Sequence, residues 1–262
     1  MIRKTAMKKL SVLFFLIAVL TIFAPAEIRA AELDEDYVPD PAITAMIASN
    51  PQIIEEKLKA AMLKQVHNPA SITIEITPNS VEDTALGKFK RVYVDCYRSE
   101  IEECVLHSAK FEFLDVQLNT KRLIEEDKIK PVNKCTINID AIVKESDINT
   151  FLTNRAKKIG VDHPKIKMTK DGNLELSGAC KYGFVKVEFW ARGNFSLSQK
   201  DQIWFHASKM KVNRIAMPRN FVGMIVKKIN PVLKFDKFSF KVNLETIKIT
   251  EGEMRLTSEK LE

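Results

Sequence analysis

The sequence predicts an α+β fold built on a mostly antiparallel sheet, and three observations carry that reading. Apolar and polar residues alternate in segment after segment, as in "SITIEIT", where Ile72, Ile74 and Ile76 fall on one side. That period of two marks strands with one buried face. Helical spacing of apolar residues appears in three substantial stretches, the mark of amphipathic helices. Strands otherwise succeed one another through tight turns without helical crossovers, which makes neighbours antiparallel.

At the N-terminus, "MIRKTAMKKL" is basic, Leu10 to Phe23 is an almost unbroken apolar run, and Ala24-Pro25-Ala26 has small residues at cleavage positions. This layout predicts a secretory signal peptide over 1–26, with cleavage after Ala30 as the later choice. The apolar run is short for a spanning helix, although an uncleaved anchor is the alternative. The protein is expected to be exported to a periplasm or cell envelope, membrane-associated if the segment stays attached. Residues 27–44 are acidic and punctuated by proline. They read as a flexible leader to a single domain over 45–262.

The first helix is expected to be capped by Asn50, with Pro51 at its first position and a stripe of Ile53, Ile54, Leu58, Ala61, Met62 and Val66. Strands follow in "SITIEIT", "FKRVYVDCY", the return strand after Glu100, and "KFEFLDVQL", with a short helical piece near Lys121 to Glu126. In "INIDAIVKESDINTFL" the rhythm changes from two to helical: Ile137, Ile139, Ala141 and Val143 alternate, then Ile148, Phe151, Leu152 and Ile159 form a stripe. Ser146 is the expected cap of that second helix. A hairpin turns at Asp171-Gly172, and Val185, Val187, Phe189, Ala191, Gly193 and Phe195 share one face of the next strand. "QIWFHASKMKVNRI" shifts its apolar phase near Ser208, which predicts a bulge. A last helix over Pro218 to Ile229 carries Phe221, Met224, Ile225 and Ile229, and a closing hairpin turns at Glu251-Gly252.

The chain carries a formal charge of +7, but Arg3, Lys4, Lys8 and Lys9 stand in 1–26 with no acid, so the remainder is +3. That is too little to argue for nucleic acid as a partner. No phosphate-binding glycine loop, GxSxG elbow or HExxH is present, and His67, His107, His163 and His206 are scattered over different elements. An enzyme is not expected, nor a metal or cofactor. Trp190 and Trp204 fall on the more polar faces of their strands. They suit a membrane interface or ligand, or simply pack as neighbouring aromatics. Cys96, Cys104, Cys135 and Cys180 lack zinc-ligand spacing. They make two disulfides, Cys96–Cys104 across a hairpin turning at Glu100 and Cys135–Cys180 by elimination, or four buried thiols.

The segments "GKFKRVYVDCYRSEI", "KFEFLDVQLN", "IDAIVKESDINTFL", "VEFWARGNFSL" and the run from "IAMPRNF" to "GEMRL", with the Asn230-Pro231 helix stop, occur in a familiar order. Across Pro51 to Leu256 the chain resembles the DUF2993 family, which includes the LmeA-like phospholipid-binding proteins of the actinobacterial cell envelope. The resemblance implies a TULIP-like half-module, in which a long, strongly curved antiparallel sheet wraps amphipathic helices around an apolar groove. The implied partner is a phospholipid or another acyl-chain lipid, met at a membrane surface. Leu58, Met62, Ile148, Phe151, Leu152, Val187, Phe189, Phe221, Met224 and Ile225 are the expected liners. A phospholipid exposes about 30 acyl methylenes at about 0.8 kcal/mol each, on the order of 24 kcal/mol, so a carrier must offer apolar surface it does not fill itself. The alternative is an envelope scaffold of the same fold with a closed core and no lipid.

Overall fold

In the computed structural model, which describes residues 33–34, 36–65, 68–101, 104–159, 161–182, 185–198, 202–220, 222–223, 230, 233–234 and 241–259, the alternating segments form two sheets. The signal segment 1–26, Val66 and the liners Phe221, Met224 and Ile225 lie outside the described residues. The class is α+β, as expected. The strands divide between two compact units, where the sequence suggests a single domain: 33–142 with 241–246 and 256–259, and Val143–Lys234 with Ile247–Arg255.

In the first unit, helix α1 (Pro41–Ser49) begins inside the segment read as a flexible leader. Asp40 caps it, its carboxylate accepting from the N–H groups of Ala42 at 2.9 Å and Ile43 at 3.4 Å. An Asp before a Pro is a cap followed by a first-turn residue. The buried stripe is only Ile43 and Ile47, too short to stand out as periodic. Upstream, Asn119 donates to Asp34 at 2.6 Å and Tyr37 Oη lies 2.6 Å from Thr120 Oγ1, so the leader is tied down from Asp34. Asn50 closes α1, donating to the carbonyls of Met46 and Ile47, and its own carbonyl accepts from Ile53. Helix α2 (Gln52–Gln65) buries Ile54, Leu58, Ala61 and Met62, the expected stripe.

Strands β1 (Ser71–Pro78), β2 (Lys88–Ile101), β3 (Cys104–Gln117) and β4 (Thr136–Lys144) pair antiparallel in chain order. Helix α3 (Val81–Ala85), capped by Ser80, and helix α4 (Thr120–Glu126), capped by Asn119, bracket the long β2–β3 hairpin. Gly87 makes the turn into β2 at φ +73°, where a Cβ would stand 2.4 Å from the Leu118 carbonyl oxygen. Only glycine tolerates both the dihedral and the contact.

The hairpin corrects the disulfide reading. Its turn lies between Ile101 and Cys104, so Cys104 stands opposite Ile101 and Cys96 opposite Ala109. Cys96 and Cys135 are free, buried thiols in the core. Neither the Cys96–Cys104 nor the Cys135–Cys180 bridge forms, since Cys96 and Cys135 are both free; for Cys96 the reason is the turn, which falls after Ile101 rather than at Glu100 and sets Ala109 opposite it. Burial, with the Asp95 charge adding to it, pushes the Cys96 thiol up to about 11, and burial also raises Cys135. Both thiols are expected to resist alkylation in native protein at neutral pH and to label fully in denaturant. Labelling of either at the rate of a free thiol would contradict the packing.

The second unit starts where β4 ends. Helix α5 (Glu145–Ile159) follows without a loop and begins one residue before Ser146, which therefore sits in the first turn rather than at the cap. Glu145 instead accepts from the Met168 N–H at 2.6 Å. Strands β5 (Asp162–Met168), β6 (Leu174–Tyr182), β7 (Val185–Ser198) and β8 (Gln202–Val212) again pair antiparallel in chain order. Each unit thus repeats one plan, an amphipathic helix followed by a four-stranded meander. The β7–β8 register slips between Arg192 and Gly193, leaving Ser208 as the extra residue that the apolar phase predicts. Strands β9 (Ile215–Ala216) and β10 (Leu233–Lys234) pair with β8. Of the last helix, residues 219–220 and 222–223 are described as helical.

Strands β11 (Lys241–Asn243), β12 (Thr246–Thr250) and β13 (Glu253–Thr257) complete the first sheet, in the order β1-β2-β3-β4-β13-β12 with β11 parallel to β4. The second sheet runs β10-β8-β7-β6-β5 with β9 on β8. The Asp171-Gly172 and Glu251-Gly252 turns fall where expected, both glycines at positive φ. Among the described residues no helix is long and apolar enough to cross a membrane.

Candidate functional site

Residues directly opposite in an antiparallel pair share a face, so the registers show what each sheet presents. In the first unit three rows cross β1 to β4: Ile72, Cys96, Ala109, Ala141; Ile74, Val94, Phe111, Ile139; and Ile76, Val92, Phe113, Ile137. Every residue is apolar. The helix residues Leu58 and Met62 belong to the same core as most of these rows. The helices do not bury the rows completely, since Ile72, Ile76, Phe111, Phe113 and Ile139 stay partly exposed.

The opposite face of this sheet is polar and internally paired. Arg91 reaches Glu112 at 2.5 Å and Glu75 at 3.6 Å, Lys110 reaches Asp95 at 3.8 Å, and Asn138 donates to Glu112 at 2.9 Å. The Asn138 amide and the Arg91 guanidinium hold the Glu112 carboxyl below its ordinary value.

In the second unit the inner face carries Ile166, Leu176, Ala191 and Met210 in one row and Met168, Leu174, Gly193 and Ala207 in the next. Helix α5 packs along the edge strand β5 and satisfies its free backbone groups. The Asn149 side chain accepts from the Ile166 N–H at 2.7 Å and donates to the Ile166 carbonyl at 2.9 Å. Asn230 makes the same two-way contact with Phe205 of β8, at 2.8 Å in each direction. An edge strand exposes unpaired N–H and C=O groups, and an amide side chain supplies an acceptor and a donor to both at once.

An open groove of about 600 Å³ lies between the C-terminal half of α5 and the start of β5. That volume falls within the roughly 300–1,000 Å³ usual for small-molecule pockets. Buried Val161 and Pro164 form its floor, and Thr153, Lys157, Asp162 and His163 its exposed rim. The floor continues inward through Gly178, where a Cβ would stand 2.7 Å from the Val161 side chain and 2.9 Å from the Phe189 ring. The missing side chain at Gly178 leaves room for both the Val161 side chain and the Phe189 ring.

The structure brings together Ile148, Phe151, Leu152, Val187 and Phe189 in one unit, all at most 8% exposed, while Leu58 and Met62 lie in the core of the other unit. None of these expected liners borders the groove directly; Phe189 comes nearest, through Val161. Lys157, Val161 and His163 were missed because they straddle a helix end and a strand start, where neither period applies. The loop-like "GVDHP" was the available signal.

Among the described residues no cluster of metal-ligating side chains is present. Ser196 Oγ lies 2.7 Å from His206 Nε2, but on an open face with no carboxylate among the described residues to orient the imidazole. At the β5–β6 turn, Thr169 donates to Asp171 at 2.5 Å and Asn173 at 2.9 Å, and Arg192 pairs with it as well. The Thr169 hydroxyl, then Asn173 and Arg192, bring the Asp171 carboxyl down to about 2. The folded value lies below the unfolded one, so these contacts hold fully above the ordinary carboxylate range and are lost as pH falls through about 2. A carboxyl-carbon NMR titration should place the Asp171 midpoint there, and a midpoint near 4 would remove the contact set.

A family model described as LmeA-like phospholipid-binding matches residues 51–259. No curated protein and no solved structure matches the chain.

Proposed function

The chain belongs to the LmeA-like phospholipid-binding family, and on that footing we propose that it is exported to the cell envelope and there sequesters or transfers phospholipid by its acyl chains. The observation that carries the proposal is the groove of about 600 Å³ between α5 and β5, apolar at its floor and charged at its rim. Acyl methylenes leaving water onto the groove lining at Ala156, Val161 and Pro164 would gain roughly 25 cal/mol per Å² of apolar area. Lys157 and His163 stand where a headgroup phosphate would remain wet. The role is binding and not catalysis, since partition needs no nucleophile or base.

Native mass spectrometry of gently purified protein tests this directly. Wild type should carry a bound phospholipid. Ala156→Trp, which fills the groove from the helix without entering the core, should lose it while keeping its circular dichroism spectrum. Lipid-free wild type, or equal lipid in both proteins, rejects the reading. The scaffold alternative draws on a real observation, the near-complete burial of Ile148, Leu152 and Leu58, and predicts lipid-free protein in the same experiment.

A further inference from the structure

The two sheets differ in the charge of their outer faces. On the second sheet the registers place Lys165, Ser177, Trp190 and Lys211 in one row and Lys167, Glu175, Arg192 and Lys209 in the adjacent row. Both rows lie on the face opposite the core, since they alternate with the buried Ile166–Leu176–Ala191–Met210 row. Lys186 and Glu188 flank them on β7. Arg192 is neutralised by Asp171 and by Glu175 at 3.0 Å. Lys165, Lys167, Lys186, Lys209 and Lys211 are exposed and enter no ion pair among the described residues. Near the middle sits Trp190, half-buried, with the Lys211 ammonium 5.3 Å from its ring centroid. Trp204 shares the face further along β8, opposite Ser196.

On the first sheet the cations in the middle of the β2–β4 face are paired. Arg91 is held by Glu75 and Glu112 and Lys110 by Asp95, and Asp140 stands beside Lys110 in the register. Lys88, Lys90 and Lys248 elsewhere on the first sheet also enter no ion pair among the described residues, but the second face differs in carrying five such lysines in two adjacent rows and beside them. With only +3 outside the signal segment, such a concentration is not a by-product of a basic composition.

We propose that the lysine-rich, tryptophan-centred outer face of the second sheet docks the protein on bilayers containing anionic phospholipid. The inference rests on the phospholipid-binding reading above but concerns a different surface from the groove. Lysines within a Debye length of an anionic leaflet each strengthen association by roughly fivefold. Indole rings settle at the headgroup level, where an apolar body and a polar N–H are both satisfied. A nucleic-acid duplex would meet the same lysines but would gain nothing from burying an indole at an apolar–polar boundary.

Co-sedimentation of the full chain with vesicles decides the matter, using phosphatidylcholine alone and phosphatidylcholine with phosphatidylglycerol. Wild type should bind the mixed vesicles, with affinity falling as salt rises, and should ignore the neutral ones. The triple variant Lys165→Glu, Lys167→Glu, Lys209→Glu changes only exposed side chains and should lose at least about 100-fold in affinity, the loss expected from removing three charges alone, while still co-purifying with groove lipid. Equal binding by the triple variant, no binding by wild type, or displacement of wild type from vesicles by duplex DNA would each overturn the proposal. The Ala156→Trp variant separates the two readings. If it loses bound lipid yet still sediments, docking stands independently of uptake. If it keeps its lipid and the triple variant no longer sediments, uptake through the groove fails and docking survives.

Discussion

Phe205→Ala is expected to destabilise the protein by about 3–5 kcal/mol. Phe205 is fully buried. Its ring lies over Gly193 and makes an edge contact with Phe195, centroids 5.7 Å apart. Its backbone is held on both sides, by β7 through Phe195 and by the Asn230 amide. The site therefore cannot collapse onto the cavity that alanine leaves, which places the cost in the upper part of the range for such truncations. Urea unfolding read by circular dichroism measures it, and Phe205→Leu should recover much of the loss. A change below about 1 kcal/mol would mean that the ring is not enclosed as described.

Gly193→Ala carries the second large effect, about 3 kcal/mol, at the top of the range for overpacking. A Cβ there would stand 2.2 Å from the His206 carbonyl oxygen and 2.7 Å from the Phe205 ring. A ring can tilt, but that carbonyl is part of the β7–β8 pairing, so relief requires the strands to part at their bulge. Gly252→Ala makes the useful comparison. No atom lies within 4 Å of its would-be Cβ, and only its φ of +78° is at stake, a cost of about 1–2 kcal/mol. Equal losses for the two substitutions would show that the Gly193 contacts are relieved more cheaply than their distances indicate. Combining Gly193→Ala with Phe205→Ala should cost less than the sum, because removing the ring relieves one of the two clashes.

Much of the fold was readable from periodicity alone. The stripe Ile54, Leu58, Ala61, Met62 is buried as spaced, the β4–α5 junction falls at the change of rhythm, and the phase slip at Ser208 is a register shift. What escaped was local in scale. Helix α1 offers only Ile43 and Ile47 as a stripe, and its Asp40-Pro41 start was hidden in an acidic, proline-punctuated stretch. The Cys96 pairing depended on where a hairpin turned: a turn centred on Glu100 would set Cys104 opposite Cys96, whereas the observed turn sets Ala109 there and moves Cys104 to the other face. The expected liners were chosen as the most apolar residues on the helices and strands, and that criterion selects the packed interior. The groove is bordered instead by Lys157, Asp162 and His163, whose polarity is the reason they can stand at an opening.

By itself the sequence determined the class, the order of the elements, which face of each is apolar and the family to which the chain belongs. These follow from side-chain direction, which repeats every two or 3.6 residues along the backbone. The tertiary structure alone decided that the strands divide between two sheets in two units, that Cys96 and Cys135 are buried thiols, and that the unpaired lysines gather around Trp190. Each of these depends on which residues face one another across strands far apart in sequence. Period constrains a side chain's face, but register sets its neighbours, and only the folded chain sets the register.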